Sequence, residues 1–268
     1  MSRSRFFVIG VLAGLAAARQ RRARQQRRLE RMAAAALEVL LNAIDANDRQ
    51  TGAHVRRVAT YALVLARAAR LPAHARRSVE RVALFHDVGK IDAAMYDIVH
   101  EASELSPKER ALVLMHPLRG AQVLRPLSAF YPDLAEGVLS HHERWDGTGY
   151  PRGLRGEEIP LAARIVAIAD TYDVVTHGRR YRGEGRGSLA DGRSALRAGR
   201  GTQFDPALVD LALEPRVLAA LEGAVRTSHG PRIWRRESGR SRTVSGVPDI
   251  TFRWRSEALE PLPRDPGR

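Results

Sequence analysis

The hydrophobic positions of this chain recur with the spacing of helices rather than that of strands. In residues 33–45, apolar side chains return every three or four residues, which places them on one side of a helix. The same reading applies to residues 55–69, 75–86, 107–124, 133–142 and 161–175. The stretch Ser106-Pro107-Lys108-Glu109 predicts the start of a helix, because the serine can cap it, proline suits its first turn and the glutamate can reach back. The pattern predicts an all-α fold, a bundle of helices that share one core.

The positive charge is concentrated at the two ends of the chain. Residues 1–31 hold nine arginines and one acidic residue, and residues 226–268 hold ten arginines and five acidic residues. Of the total net charge of +14, only +1 remains for residues 32–225. We therefore predict an apolar and arginine-rich segment at 1–31, a nearly neutral domain at 32–222 and a basic, irregular tail at 223–268. No specific nucleic-acid partner is predicted.

Residues 6–18 form an uninterrupted apolar run with arginines on both sides. As a helix, these 13 residues would span ~20 Å, whereas the hydrocarbon core of a bilayer is ~30 Å thick. The run is therefore either a membrane-associating segment or a soluble helix or leader. In both cases the expected location of the main domain is the cytoplasm. If the run inserts, the arginines that follow it hold that domain at the inner face of the membrane.

The chain has no cysteine, so any bound metal must be held by imidazole or by oxygen ligands. Seven such side chains lie at the ends of predicted helices or on apolar helices that must pack together: His54, His86, Asp87, His116, His141, His142 and Asp170. A lone buried histidine is ordinarily satisfied by a hydrogen bond, but a buried aspartate must be paired or must bind a cation. Two divalent cations bridged by Asp87 would satisfy all seven. This ligand type favours iron or manganese, with zinc as a third candidate. The other four histidines, among them His177, are predicted to be ordinary polar residues.

Two motifs in this set resemble the HD-GYP proteins. His86-Asp87 with Lys90 is the signature of the HD phosphohydrolase superfamily, and by itself it is a weak motif. The stretch at residues 141–151, HHERWDGTGYP, is similar to the diagnostic stretch of the HD-GYP subgroup and is very specific. The resemblance extends over residues 41–213. It implies an HD-type helical domain with a binuclear metal centre that hydrolyses cyclic di-GMP to the linear dinucleotide, with further cleavage to GMP left open.

The resemblance also implies roles for individual residues. One metal would be held by His54, His86, Asp87 and Asp170, and the other by Asp87, His116, His141 and His142. Lys90 would act beside Asp87 in catalysis and contact the scissile phosphate. Substrate contacts are expected from Lys90, Tyr150, Asp173, Arg179 and Arg182.

The chain departs from the family pattern at several positions. Gln50 stands where some relatives carry a glutamate that holds a third metal, so we predict two metals. Residues 91–95 lack the usual glycine and proline, Arg180 replaces a frequent proline, and residues 183–201 are richer in glycine and arginine. These departures change none of the predicted metal ligands, but they alter the residues expected to surround the bound substrate. Two alternatives therefore stay open: another cyclic dinucleotide or nucleotide phosphate as substrate, and a non-catalytic nucleotide-binding module that acts through signalling protein partners.

Overall fold

The computed structural model describes residues 3–91, 106–177 and 187–227 of the chain. These residues form ten α-helices joined by loops and short 3₁₀ turns, and they contain no strand. The helices are α1 (Arg3–Asn47), α2 (Arg49–Ala68), α3 (Ala73–Phe85), α4 (Pro107–Leu114), α5 (His116–Leu124), α6 (Pro132–Leu139), α7 (Leu161–His177), α8 (Leu189–Gly199), α9 (Pro206–Leu213) and α10 (Pro215–Thr227). The predicted all-α class is confirmed.

The described residues divide into two compact units, residues 3–40 and the described residues that follow. The first unit is the larger part of α1, and residues 18–32 of this helix are exposed to solvent. α1 continues across residue 31, where the charge distribution predicts a domain boundary, and it ends at Asn47. The predicted tail lies almost entirely outside the described residues, so the predicted domain limits stay a prediction.

In the second unit α2 is the central helix, and it packs against α3, α7 and α10. Its residues 55, 58, 59, 61 and 62 are fully buried, which is what the apolar stripe predicted. The helix begins at Asp48, whose side chain accepts hydrogen bonds from the backbone N–H groups of Gln50 and Thr51 at 2.8 and 3.0 Å. α3 also packs on α6 and α7, and α8 packs on α7, so these helices form one packed bundle with α2.

The segment predicted as one helix over residues 107–124 is two helices, and this expectation was wrong. The predicted start is confirmed: Ser106 accepts a hydrogen bond from the Glu109 N–H, and the Glu109 carboxylate accepts one from the Ser106 N–H. The helix then ends at Leu114, because Pro117 has no N–H to offer to the carbonyl of Val113. The ring Nδ1 of His116 donates to that carbonyl instead, at 2.7 Å. The break therefore positions a predicted metal ligand.

The 3₁₀ turn Val88–Lys90, which follows α3, packs directly on α5. A Cβ atom at Gly89 would lie 2.1 Å from the carbonyl oxygen of His116 and 2.7 Å from the backbone nitrogen of Gly120. Only glycine permits this close approach of two backbones. The contact brings Asp87, which precedes the turn, next to His116.

Candidate metal centre

Three of the predicted ligands use the free carbonyl groups at helix ends in the same way. His86 follows α3, His116 follows α4 and His141 follows α6. Each ring donates from Nδ1 to the carbonyl oxygen three residues earlier, at 2.8, 2.7 and 2.6 Å. The last carbonyls of a helix have no partner within the helix, so a histidine just beyond the end can occupy one of them. This bond orients each ring and leaves Nε2 as the atom with a lone pair, which is the form that ligates a metal.

A first group of ligands consists of His54, His86 and Asp170, whose ligand atoms all lie within 4.8 Å of one another. His54 Nε2 lies 3.2 Å from Asp170 Oδ1, and His86 Nε2 lies 3.9 Å from the same oxygen. The Nε2 atom of His86 is buried and has no hydrogen-bond partner among the described residues. A buried polar atom without a partner is costly. A cation at this position would satisfy it.

The second group consists of His116, His141 and His142, again with ligand atoms within 4.8 Å of one another. The Nε2 atoms of His116 and His141 are only 3.2 Å apart. Since each of these rings carries its proton on Nδ1, neither Nε2 of the neutral rings has a proton to share with the other. Two lone pairs that face each other at this distance fit a cation between them. The donor set of the second group therefore suits a metal ion.

Asp87 lies between the two groups. Its Oδ2 is 3.6 Å from His86 Nε2, in the first group, and its Oδ1 is 3.3 Å from His116 Nε2, in the second. The Nζ atom of Lys90 lies 2.7 Å from Oδ1 and 2.8 Å from Oδ2. One oxygen of Asp87 therefore faces each group, and its role as a bridge between two metals stays a prediction.

The environment sets the protonation of these groups in the metal-free chain. Burial lowers the pKa of His141 well below its usual value, and it lowers the pKa of His142 to about 3, so both rings are neutral at neutral pH. Burial also opposes a charge on His54, but the hydrogen bonds that its ring donates to Asp170 and Asp173 outweigh burial and raise the pKa of His54 to about 9. A metal ion that binds His54 therefore competes with a proton.

The carboxyl group of Asp87 stays ionised although it is buried. Burial would raise its pKa, but the positive charge of Lys90 and the nearby His86 and His116 outweigh burial and hold the pKa well below its usual range. The carboxylate between the two groups is therefore negatively charged at neutral pH, which favours the binding of a cation.

A cleft of about 310 Å³ opens beside both groups. Asp170 from the first group and His141 and His142 from the second line it, together with Tyr150, Thr171 and Gln203. The ring of Tyr150 stacks on that of His142, with centroids 4.9 Å apart and an angle of 20° between the planes. Tyr150 thus borders the cleft and also supports a ligand.

The loop that carries Tyr150 is tied to the metal centre through Glu143. This carboxylate is buried, and it accepts hydrogen bonds from the backbone N–H groups of Arg152 at 2.7 Å and Leu154 at 3.1 Å. A Cβ atom at Gly149 would lie 2.3 Å from the backbone nitrogen of Arg144, so the loop folds back closely on the ligand segment. Residues 143, 144 and 148–150 of this segment line the cleft.

The remaining predicted site residues lie elsewhere or outside the described residues. Asp173 is 1% exposed, and it contacts His54 and Arg57 behind the first group rather than the cleft. Arg179 and Arg182 fall outside the described residues, as do Arg180 and most of the altered stretch at 91–95. Gln50 is exposed at the start of α2 and belongs to neither ligand group. The roles predicted for these residues stay predictions.

Sequence reasoning missed several residues of the site. Glu143 lies inside the quoted motif, but its hydrogen bonds to the loop had no sequence signal. His177 was predicted to be ordinary, yet its Nδ1 lies 3.1 Å from Asp173 Oδ1. Their spacing of four residues on one helix could have suggested this contact. Arg57 and Gln203 gave no signal, because their partners are distant in the sequence.

The fold and the site together define an all-α domain with a candidate metal centre of histidines and aspartates, some just beyond helix ends and others within α2 and α7. The chain belongs to the HD domain family, whose model matches residues 38–208. The resemblance to HD-GYP proteins that the motifs at residues 86–90 and 141–151 suggested is confirmed.

Similar proteins carry the names of cyclic dinucleotide phosphodiesterases. A 3′3′-cGAMP-specific phosphodiesterase 2 of Vibrio cholerae serotype O1 is 37% identical over 65% of this chain and 33% of its own length. A cyclic di-GMP phosphodiesterase of the same organism is 35% identical over 65% of this chain and 38% of its own. The chain thus spans little more than a third of these relatives. A crystal structure of a cyclic GMP-AMP specific phosphodiesterase of V. cholerae is similar with a TM-score of 0.52 and 26% identity, over 71% of this chain and 50% of that one.

Proposed function

We propose that the chain is a metal-dependent phosphodiesterase of cyclic dinucleotides and that cyclic di-GMP is its substrate. The observation that carries the proposal is the position of Asp87. Its two oxygens face different ligand groups, with one 3.6 Å from His86 Nε2 and the other 3.3 Å from His116 Nε2. A carboxylate between two sets of imidazoles is suited to holding two cations next to each other, which is an arrangement used in phosphoryl transfer.

Two divalent cations, when bound, would supply the positive charge that stabilises a phosphate during hydrolysis. The first would be held by His54, His86, Asp170 and Asp87, and the second by His116, His141, His142 and Asp87. Imidazole and carboxylate ligands without thiolate support iron or manganese, with zinc as the third candidate. The exposed position of Gln50, outside both groups, supports two metals per chain rather than three.

Residues of the chain itself would bind and orient the substrate. The ammonium group of Lys90 is partly exposed while it pairs with Asp87, so it can also bind a phosphate oxygen. Tyr150 offers an aromatic edge of the cleft to a nucleobase. The reaction consumes one water molecule and breaks one phosphodiester bond, which opens the ring of the dinucleotide.

The identity of the dinucleotide is the finer part of the proposal. The similarity of the HHERWDGTGYP stretch to HD-GYP proteins supports cyclic di-GMP. The relative at 37% identity, which is named for 3′3′-cGAMP, makes that molecule the second candidate.

We expect the metal-loaded chain to convert cyclic di-GMP to its linear dinucleotide, measured by chromatography of the products. Reactions with iron, manganese and zinc, and with 3′3′-cGAMP at the same concentrations, complete the assay. His86→Ala should abolish turnover, whereas Asp210→Asn, which breaks the exposed pair between Arg200 and Asp210, should not.

Each result of this assay has a defined meaning. Faster hydrolysis of 3′3′-cGAMP would contradict the substrate but keep the reaction. The chain could also bind the nucleotide tightly without turnover under any of the metals, and His86→Ala could leave that binding unchanged. This result would identify the chain as a non-catalytic signalling module rather than an enzyme.

We also propose that the arginines of α1 bind an anionic membrane surface from the cytoplasmic side. None of the helices in the described ranges combines the length and apolar character needed to cross a bilayer. Residues 19–31 nevertheless contain seven arginines and one glutamate, and all of them are exposed. Each basic residue near an anionic surface contributes about 1 kcal/mol of attraction.

The chain should float with vesicles that contain phosphatidylglycerol and should be released by high salt, because salt screens this attraction. Replacing Arg21, Arg22, Arg24, Arg27 and Arg28 by glutamine should remove the binding without lowering hydrolysis. Equal binding to phosphatidylcholine vesicles would contradict the electrostatic mechanism.

A further inference from the structure

Asp173 is the centre of a buried network behind the first ligand group. It lies on α7 and is 1% exposed. Its Oδ2 accepts from His54 Nδ1 at 2.7 Å and from Arg57 Nη2 at 2.8 Å. Its Oδ1 accepts from Arg57 Nε at 2.7 Å and lies 3.1 Å from His177 Nδ1. Both oxygens of this carboxylate are therefore occupied by side chains of the protein.

His54 needs such a partner because of its place in the fold. Three other predicted ligands lie just beyond helix ends, where Nδ1 of each ring donates to a free backbone carbonyl: His86, His116 and His141. His54 instead lies within α2, where the carbonyl groups are already bonded along the helix. The acceptor for its Nδ1 must therefore come from another element, and Asp173 on α7 supplies it.

The bond to Asp173 determines which nitrogen of His54 can bind a metal. A carboxylate only accepts hydrogen bonds, so Nδ1 of His54 keeps its proton when the ring loses one to become neutral, and Nε2 is then the nitrogen that offers a lone pair to a metal. That Nε2 lies 3.2 Å from Asp170 Oδ1, inside the first group. The guanidinium fork of Arg57 bonds both oxygens of Asp173 and thereby fixes the plane of the carboxylate.

We propose that Asp173, held by Arg57 and His177, is a positioning residue that sets the metal affinity of the first ligand group and leaves the second group unaffected. This rests on the proposed metal-dependent function. It replaces the expected substrate contact of Asp173, since the side chain is buried and does not line the cleft. Loss of an outer partner of a metal-binding histidine typically lowers metal affinity roughly 10- to 100-fold.

The test is a calorimetric titration of the full chain with Mn²⁺ alone, in the absence of substrate. Asp173→Asn should weaken one of two bound ions by roughly 10- to 100-fold and leave the other at its original affinity. Arg57→Lys keeps the charge but loses the fork, so the same ion should be weakened by a smaller factor. Asp210→Asn is the matched control, because it removes an exposed aspartate that is also bonded by an arginine fork.

Two double variants, in which Asp173→Asn is combined with a change in one ligand group, identify the ion that is affected. With His141→Ala, which disables the second group, Asp173→Asn should still weaken the remaining ion. With His86→Ala, which disables the first group, it should have no further effect. His177→Gln, which removes the contact of His177 Nδ1 with Asp173 but keeps Asp173 itself, provides a milder variant should Asp173→Asn fail to fold, and a smaller loss at the same ion is expected.

Several outcomes would overturn the inference. Unchanged affinity for both ions in Asp173→Asn would overturn it, and a raised KM of that variant in the product assay given under the proposed function would make Asp173 a substrate contact instead. An equal loss at both ions would indicate a general structural role. If the unchanged chain binds no Mn²⁺, iron or zinc, the proposed function itself fails, a result that is distinct from any result obtained with the variants.

Discussion

Asp87→Asn is expected to abolish hydrolysis and to weaken both bound cations. The substitution keeps the size of the side chain but removes the negative charge that faces His86 on one side and His116 on the other. Because Asp87 is a direct ligand of both ions in the proposed site, each affinity should fall by more than the roughly 100-fold that loss of an outer partner causes. Turnover at saturating substrate should fall by at least about 10³-fold, since the charge of both ions acts on the phosphate.

The measurement is metal content per chain after dialysis, combined with the rate of linear dinucleotide formation. Asp210→Asn again serves as the control, because it makes the same chemical change at an exposed position on α9. A variant at Asp87 that retains two ions, or that loses only the ion of one group, would show that this carboxylate does not bridge.

Gly89→Ala is expected to have the second largest effect, although residue 89 is not a predicted ligand. The added Cβ would lie 2.1 Å from the carbonyl oxygen of His116, and both atoms belong to backbones that have little freedom to move. Forced repacking of this kind costs about 1–3 kcal/mol, which corresponds to a fall in Tm of roughly 2–12 °C. The turn must also move away from α5, so Asp87 Oδ1 should lose its 3.3 Å approach to His116 Nε2.

Thermal unfolding of this variant measures the loss of stability, and Mn²⁺ titration measures the loss of metal binding. Gly223→Ala on α10 is the matched control, because the Cβ that it would add meets no described atom within 4 Å beyond its chain neighbours and the nearby backbone of its own helix. That change should preserve Tm or raise it slightly, since alanine favours a helix by about 1 kcal/mol over glycine. Gly89→Ala with an unchanged Tm and two bound ions would contradict the proposed role of this contact.

The helices and the identity of the candidate ligands could be read from the chain itself. Periodic apolar positions predicted the all-α class, and the capping pattern at Ser106 and Glu109 predicted where α4 begins. These features depend on residues within a few positions of one another, so local sequence is sufficient. The break at Met115 was missed, because periodicity continued through it while Pro117 interrupted the hydrogen bonding.

The pairing of side chains across the fold could not be obtained in this way. His54 and Asp173 are 119 residues apart, and they meet because α2 packs against α7. That contact is the basis for proposing Asp173 as a support of His54, where its place in a family motif suggested a substrate contact. Local sequence thus established the helices and a set of residues able to bind metal, because both depend on near neighbours and side-chain chemistry. The packing of the helices assigned each of those residues to a ligand group, to the cleft or to a supporting position, because distances between remote residues depend on how the whole core is filled.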